Sequence, residues 1–317
     1  MERMMRWMEI KKCILIENDC YKRGRTMDPI GILMHSTGDN NPNLKRFVQP
    51  DDGILGKNVY NNDWNRSGVG KCVHAFIGKD KNGVVRRYQT LPWNYRSYGC
   101  GSGKKGSYNN GYIQFEICED AKKDETYFNQ VMKSAIELCK YLIKLYPSIK
   151  LENVISHREA HDRGYASNHG DPDYWMKAFG KDMDWFRAQV ASKATLSAHR
   201  VNGKWGSGKR GSKIDQITLK SSEGKLTIKA HRTDGKWGYA RSGYSKTKTA
   251  CIAGKKGVPI DAVAIKATGA IGKLQYRVHR TDGKWGNWIT GYSTTDTSRY
   301  AGKFGVPIDA IEVRFTA

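Results

Sequence analysis

The sequence predicts two domains: a mixed α/β domain with a central mixed β-sheet flanked by helices, followed by a smaller all-β repeat domain. Short apolar runs interspersed with helical patterns over most of the first half predict the first domain. A motif that recurs three times near the end predicts the second. We place the domains at 1–191 and 197–317, with a linker at 192–196.

Short strands and two helices are predicted in the first domain. One helix is expected at 127–147, because apolar residues from Val131 to Leu145 recur at helical spacing and Pro147 stops the pattern. A second helix is expected at 182–192. The apolar or alternating runs that predict strands are IGILMHST (30–37), CVHAFIG (72–78), GVVRRYQT (83–90), GYIQFEICED (111–120) and NVISH (153–157).

The second domain is predicted to consist of three β repeats, the first of them shortened. Each repeat reads as short alternating strands separated by Gly-rich turns, and a single repeat is too small to bury a core alone. The recurring segments are AHRVNGKWG (198–206), AHRTDGKWG (230–238) and VHRTDGKWG (278–286), followed by KIDQITLK (213–220), PIDAVAIK (259–266) and PIDAIEVR (307–314).

One tryptophan recurs in phase in each repeat, at Trp205, Trp237 and Trp285. Two interpretations remain open: the rings anchor the core of each repeat, or they line a ligand groove, since an indole ring packs well against sugars. Under the second interpretation, Trp237 and Trp285 are the candidate binding residues.

The composition restricts the function classes. The chain carries 54 Lys and Arg against 31 Asp and Glu, and residues 192–317 alone carry 24 against 8. This excess predicts a polyanionic partner: nucleic acid, an acidic membrane or a wall rich in teichoic acid. The sequence has no helix-turn-helix, zinc-finger or RNP signature, which argues against nucleic acid.

No apolar run is long enough to insert into a membrane, and the opening residues do not resemble a signal peptide. Four methionines among the first eight residues leave the start site open. Seven cysteines without a CxxC pair predict reduced thiols in a protein made in a cytoplasm.

Polar residues at the ends of apolar runs suggest a metal site. His35 and His157 each end such a run, and Glu116 alternates onto the polar face of another. A catalytic zinc takes three protein ligands and keeps one position for water. Donor chemistry admits either His169 or Asp171 as the third ligand.

The spacing of His157 and His161 would suit two ligands on one helix face, but Glu159 lies midway between them. The HExxH and HxxEH motifs both require that glutamate beside a histidine, so neither motif is present.

Four motifs in this order resemble the zinc-dependent N-acetylmuramoyl-L-alanine amidases related to phage lysozyme-amidases and peptidoglycan recognition proteins. The resemblance covers about residues 28–190 and implies that zinc is held by His35, His157 and Asp171. It further implies that Glu116 moves protons and that His169 stabilises the oxyanion, in the place where the family often has Lys. The motifs are ILMHSTG, VHAFIG with GVVRRYQTLPWNYRSYGCG, NNGYIQFEICED, and ISHREA with HGDP.

The same resemblance implies further site residues. His74 falls at or next to a family tyrosine near the metal, so we weigh a supporting catalytic role against plain packing. Trp93 and Asn94 lie in a loop that lines the substrate cleft in the family, and the alternative is an ordinary surface loop. For His161 we expect a structural role.

Residues 196–317 are similar to the clostridial hydrophobic repeats with a central Trp-Gly, although here the order of Gly and Trp is inverted. That similarity implies a cell-wall-binding module for an anionic wall polymer such as teichoic acid. Together with the resemblance to the amidases, this similarity implies a phage or prophage endolysin. Such an enzyme is made in a clostridium-like host without a signal peptide and reaches peptidoglycan after holin release. The alternatives are a non-catalytic peptidoglycan-recognition protein and a bacterial autolysin.

Overall fold

A computed structural model describes residues 9–121 and 124–317 of the protein. The chain divides into two compact units, with the boundary between Val190 and Ala191. The predicted fold class is confirmed: a central mixed sheet with helices precedes separate antiparallel sheets. The start methionine and part of the opening stretch lie outside the described residues. Within the described ranges, no helix is both long and apolar enough to cross a bilayer.

A six-stranded mixed sheet organises the described part of the first unit, in the order β1-β4-β3-β5-β2-β6. The pair β3–β4 is antiparallel, whereas β3–β5, β5–β2 and β2–β6 are parallel. The four neighbouring strands β3, β5, β2 and β6 therefore end at one edge of the sheet. The strands are β1 (Lys11–Lys12), β2 (Gly31–Ser36), β3 (Ala75–Lys79), β4 (Val85–Gln89), β5 (Tyr112–Ile117) and β6 (Val154–Ser156).

The longest helix packs its apolar face on this sheet. Asp124 caps it through a hydrogen bond from the Tyr127 N–H, and its buried stripe runs from Val131 to Leu142. Leu145, predicted to belong to that stripe, is exposed at the last turn. The helices are α1 (Asp19–Lys22), α2 (Glu125–Leu145), α3 (His157–Asp162), α4 (Asp173–Ala178) and α5 (Met183–Val190), with 3-10 turns at Leu44–Arg46, Tyr108–Asn110 and Leu151–Asn153.

Three long hairpins form the second unit, and they share one apolar core. The hairpins are antiparallel, and each has a register shift directly after a histidine: His199, His231 or His279. Their strands are β7 (Ala194–Arg200) with β9 (Ile214–Ser221), β10 (Lys225–Arg232) with β14 (Ile260–Thr268), and β15 (Lys273–Arg280) with β17 (Ile308–Thr316). The short strands are β8 (Trp205–Gly206), β11 (Lys236–Trp237), β12 (Arg241–Ser242), β13 (Ala253–Gly254) and β16 (Ala301–Gly302), with 3-10 turns at Thr249–Cys251 and Thr297–Arg299.

The same buried pair occurs in every hairpin. Nδ1 of the histidine that precedes each register shift lies 2.6 Å from a carboxylate oxygen on the partner strand. The repeat tryptophan packs edge-on against that histidine, with ring centroids 5.2–5.3 Å apart. The pairs are His199–Asp215, His231–Asp261 and His279–Asp309, with Trp205, Trp237 and Trp285, respectively.

Each repeat also contacts a turn of the next one. The Gly257 N–H of the second repeat donates to Asp215 of the first (2.7 Å), and the Gly305 N–H of the third donates to Asp261 of the second (2.8 Å). The third returns to the first, since the Ile311 N–H donates to the Gly208 carbonyl (2.9 Å). The three repeats therefore form a closed ring.

The predicted linker needs a correction. Residues 194–196 belong to β7, and the Ser192 N–H donates to the Ile271 carbonyl at 2.9 Å. The polar, small composition of 192–196 suggested a connector, but β7 pairs along its whole length with β9, starting with Ala194 opposite Ser221. Pairing with a strand distant in sequence explains why composition alone misplaced this segment.

Candidate active site

Strand register brings the candidate groups to one edge of the sheet. His35 on β2 lies directly opposite Glu116 on the parallel strand β5, so both side chains project from the same face. On the other side of β2, Met34 is paired with Ser156 at the end of β6, and His157 follows at the first position of α3.

Helix α3 begins with a capping box that fixes His157. The Ser156 hydroxyl accepts a hydrogen bond from the Glu159 N–H (3.0 Å), and the Glu159 carboxylate accepts one from the Ser156 N–H (3.3 Å). Arg187 on α5 makes two further hydrogen bonds to this carboxylate, at 2.8 and 2.9 Å. Glu159 is thus a helix-capping residue, consistent with the absence of a zincin motif.

The tautomer of the His35 ring follows from its neighbours. The Gln114 amide donates to Asn109 Oδ1 at 2.8 Å, which directs its carbonyl oxygen to His35 Nε2 at 2.9 Å. Nε2 must therefore carry the proton, and the lone pair of Nδ1 points into the cleft. A Cβ at Gly99 would lie 2.5 Å from that Gln114 oxygen, so only glycine fits beside this amide.

The His157 ring is oriented in the same way. Its Nε2 lies 3.3 Å from the Ser167 hydroxyl, which itself donates to the Cys100 carbonyl at 3.1 Å. Nε2 donates to Ser167, and Nδ1 is left as an acceptor. A ring nitrogen held by a second hydrogen-bonding group is the usual arrangement of a metal-binding histidine.

Three acceptors converge where a cation would be expected. His35 Nδ1 is 3.1 Å from His157 Nδ1 and 3.2 Å from Asp171 Oδ2, and His157 Nδ1 is 3.4 Å from Asp171 Oδ1. A tetrahedral zinc with bonds of about 2.0 Å separates its ligands by about 3.3 Å. Two lone pairs and a carboxylate repel one another unless a positive charge lies between them, so the donor set fits zinc.

Asp171 is largely buried beside the two imidazoles. Burial alone would raise the pKa of Asp171, but the two imidazoles beside it, His157 first and then His35, outweigh that effect and hold the pKa well below its ordinary value. The carboxylate is therefore ionised, as a metal ligand must be.

Glu116 is buried at the cleft wall, and its Oε2 has no hydrogen-bond partner within the described structure. Burial raises the pKa of Glu116 well above its ordinary value, and the charges of Asp171 and Glu119 raise it further, whereas Lys71 opposes them. An unpartnered carboxyl with a raised pKa, placed at a cleft, is suited to accept and return a proton.

The cleft holds about 550 Å³ and is lined by His35, His157, Asp171, Glu116 and His169 together with other side chains. His169 is exposed at its rim, with Nδ1 3.0 Å from the Ser167 hydroxyl and 3.4 Å from His157 Nε2. His161 lies outside this group of lining residues and contacts Asp162 at 3.2 Å.

Several lining residues were not predicted. Lys71 lies over the Trp64 ring at 4.8 Å, and Arg46 pairs with Asp39 at 3.3 Å. These residues come from non-periodic segments, where no sequence pattern marks a cleft wall.

A second unpredicted group centres on Glu119, which accepts hydrogen bonds from both the Ser36 hydroxyl and the Tyr174 hydroxyl. Ser36 ends β2 and Glu119 follows β5, so the convergence of parallel strand ends was a signal that could have located them.

Comparison with protein families addresses the same region. Residues 25–174 match the family model for N-acetylmuramoyl-L-alanine amidase. This segment, the amidase domain, contains every group of the acceptor cluster and Glu116. No curated protein matches the sequence significantly.

Solved structures resemble the amidase domain at low identity. PlyL is 22% identical, with 57% of this chain and 97% of that chain covered and a TM-score of 0.41. The PlyG catalytic domain is 23% identical, with 58% and 93% covered and a TM-score of 0.40. The Staphylococcus aureus hydrolase AmiA, solved in complex with its ligand, is 20% identical, with 57% and 81% covered and a TM-score of 0.39.

The catalytic role considered for His74 is not supported by its position in the amidase domain. His74 is fully buried: its Nδ1 accepts from the Gln114 N–H (2.9 Å), and its Nε2 donates to the Tyr95 carbonyl (2.8 Å). Burial lowers the pKa of His74 to about 4, although the hydrogen bond that Nε2 donates to the Tyr95 carbonyl opposes the shift. His74 is a neutral packing residue. It lies beside Gln114, in the row of residues across the sheet that precedes, on the same face, the row of His35 and Glu116.

The cleft-lining role predicted for Trp93 and Asn94 also needs correction. Trp93 is buried, with its ring stacked on His74 at 6.3 Å and packed edge-on against Tyr141 at 6.4 Å. Asn94 is exposed beside Met27, whose N–H donates to its carbonyl at 2.8 Å. Neither is among the described residues that line the cleft of the amidase domain.

The two tryptophans proposed to bind ligand differ from each other. Trp237 is half-buried against Tyr300 and Phe304, at ring distances of 5.7 and 6.1 Å, which favours a packing role. Trp285 is 37% exposed and lines an open groove.

Proposed function

We propose that this protein is a zinc-dependent N-acetylmuramoyl-L-alanine amidase that cleaves the amide between N-acetylmuramic acid and the L-alanine of the stem peptide. The observation that carries the proposal is the convergence of His35, His157 and Asp171 beside the unpartnered Glu116, within the segment that matches the amidase family.

A zinc ion held by His35, His157 and Asp171 would polarise the scissile carbonyl and lower the pKa of a water molecule. Gln114 and Ser167 keep the two imidazoles oriented with their lone pairs toward the cleft. Because the imidazoles are already oriented, they do not have to rotate during the reaction.

Glu116 provides the proton path. Its Oε2 accepts a proton from the attacking water and returns it to the nitrogen of the leaving amine. His169, exposed at the rim, donates an N–H to the oxyanion that develops on the carbonyl oxygen. The cleft of about 550 Å³ gives the substrate access to these groups, which lie where β2 and β6 end.

We further infer that the cationic second unit holds an anionic polymer of the Gram-positive wall, and that the protein acts as a phage or prophage endolysin. The charge excess of residues 192–317 and the pairing of an amidase domain with a repeat unit support this role. It implies no engagement of nucleic acid and no insertion into the membrane.

Digestion of purified peptidoglycan tests the proposed reaction. The expected products carry new amino termini on L-alanine, identified by mass analysis of the fragments. New reducing sugars instead would indicate a glycosidase, and binding without any cleavage would indicate a peptidoglycan-recognition protein. Either result would contradict the proposal.

A further inference from the structure

The three contacts that close the ring of repeats are alike in backbone but different in side chains. Each uses a Gly-Lys-X-Gly turn: SGKRG (207–211), AGKKG (253–257) and AGKFG (301–305). At each contact the first glycine of the turn lies against the neighbouring backbone; a Cβ at Gly208, for example, would be 2.2 Å from the Ile311 carbonyl oxygen. The residue at X is Arg210, Lys256 or Phe304, and it distinguishes the three contacts.

At the contact between the second and third repeats, aromatic rings fill the space. Phe304 stacks on His231 with centroids 3.9 Å apart and on Tyr300 at 5.3 Å, and it also packs near Trp237. Trp237 is half-buried against these rings.

The contact between the third and first repeats leaves a groove of about 630 Å³, which we call the Arg–Trp groove. Arg277 lies over the rings of both Trp285 and Trp288 at 4.6 Å, and Arg314 lies over Trp288 at 3.8 Å. The groove is lined by Ala194, Leu196, Gly208, Lys209, Arg210, Arg277, Trp285, Trp288, Ile311, Glu312, Val313 and Arg314.

The groove has an excess of positive charge. Four of its lining residues are cationic, whereas Glu312 is the one carboxylate among them. Glu312 accepts a hydrogen bond from Arg277 at 2.7 Å, and the Arg314 Nε–H donates to Gln275 at 2.9 Å. Gln275, Arg277, Glu312 and Arg314 are cross-strand neighbours on one face of β15–β17, so the cations are held close together.

The other repeats do not contain this combination. With the 48-residue offset, Arg277 and Trp288 of the third repeat correspond to Lys229 and Ala240 of the second. In the first repeat, the counterpart of Trp288 is Gly208, the first glycine of the turn. Each lies three residues after the repeat tryptophan, Trp285 or Trp205. The second tryptophan is therefore specific to the third repeat, where the groove lies.

We propose that the Arg–Trp groove is the binding site for a phosphodiester-linked polyol or sugar polymer. This rests on the proposed wall-binding role of the second unit and locates it at one of the three contacts. Guanidinium forks bind phosphate oxygens in pairs, and indole rings pack on the C–H faces of sugars.

The test compares charge-matched double variants of the full chain. R277Q/R314Q removes two cations from the groove, and K229Q/K266Q removes two from the corresponding positions of the second repeat. Sedimentation with purified Gram-positive walls measures their affinity. We expect R277Q/R314Q to bind about tenfold more weakly, because charge-assisted hydrogen bonds to phosphate are lost, and the control to remain near wild type.

Two further measurements separate the groove from diffuse charge. Walls stripped of phosphate polymer by acid extraction should bind wild type and R277Q/R314Q equally weakly. R277K/W288A, which installs the residues of the second repeat, should show the same loss on intact walls, with near-ultraviolet circular dichroism used to confirm folding.

Equal weakening of both charge-matched variants, unchanged binding by R277Q/R314Q, or tighter binding to DNA than to walls would each overturn the proposal. Hydrolysis of a soluble muropeptide by the wild-type chain reports on the amidase assignment separately. Loss of groove binding and failure of the proposed reaction are therefore distinguishable.

Discussion

At the scale of single residues, Glu116 and His74 show how a step of two residues along a strand separates the proposed catalytic position from a packing position. Glu116 shares its row with His35 at the cleft, whereas His74 contacts Gln114 one row below. Successive residues on one face of a strand are separated by about 6.6 Å, which is enough to move an imidazole from the cleft into the core.

Replacing Glu116 by alanine should reduce wall lysis by about a hundredfold or more, because the group proposed to transfer the proton is lost. Zinc content should remain near one per chain, since His35, His157 and Asp171 are untouched. Turbidity loss of purified walls and metal analysis give the two readouts. Glu152, exposed in the same unit, provides the control E152A. Retained lysis in E116A would refute the assignment.

Replacing His74 by glutamine tests the packing role through pH. Because the folded-state pKa of His74 is about 4 against an ordinary 6.5, its contribution to stability is complete above pH 6.5 and is lost as the pH falls toward 4. Protonation of His74 alone should lower the free energy of unfolding of the wild type by about 3 kcal/mol over this pH range. H74Q can keep both hydrogen bonds without an ionisable ring. Its free energy of unfolding, measured in urea at pH 6.5 and pH 4, should therefore fall by less than that of the wild type. Abolished lysis by folded H74Q would restore a catalytic role.

At the scale of elements, the positions of strand ends were predictable and the conformation of connecting segments was not. His35 and His157 end apolar runs, and parallel strands deliver such ends to one edge, so their proximity follows from pattern and topology. Trp93 lies in a segment without periodicity, and its burial depends on stacking against a ring distant in sequence. Donor chemistry alone also left Asp171 and His169 undistinguished as the third acceptor.

The start of α3 is the element on which His157 depends. Replacing Ser156 by alanine removes the cap and should destabilise the first unit by about 1 kcal/mol. It should also weaken zinc binding, because His157 occupies the first helical position. Competition with a chromogenic chelator measures the affinity.

The matched control is D124A, which removes the cap of α2 and should cost similar stability without changing zinc affinity. Unchanged zinc affinity in S156A, or an equal loss in D124A, would contradict the coupling between the cap and His157.

At the scale of the whole molecule, the proposed metal site belongs to the first unit and the proposed wall contact to the second. Zinc at about a hundredfold above its dissociation constant should stabilise the first unit by about 2.7 kcal/mol. Calorimetry should therefore show one transition that moves down in temperature after chelation and a second that stays. Equal shifts of both transitions, or none, would argue against a zinc site confined to the first unit.

The ring of repeats also fixes how many repeats the second unit accommodates. In an open array, every added copy finds a free end on which to stack, so such arrays lengthen readily during evolution. Here the turn of the first repeat already occupies the place beside Ile311 that a fourth copy would need. Diversification of ligand preference is therefore expected through exchange of side chains at the three junctions, not through duplication.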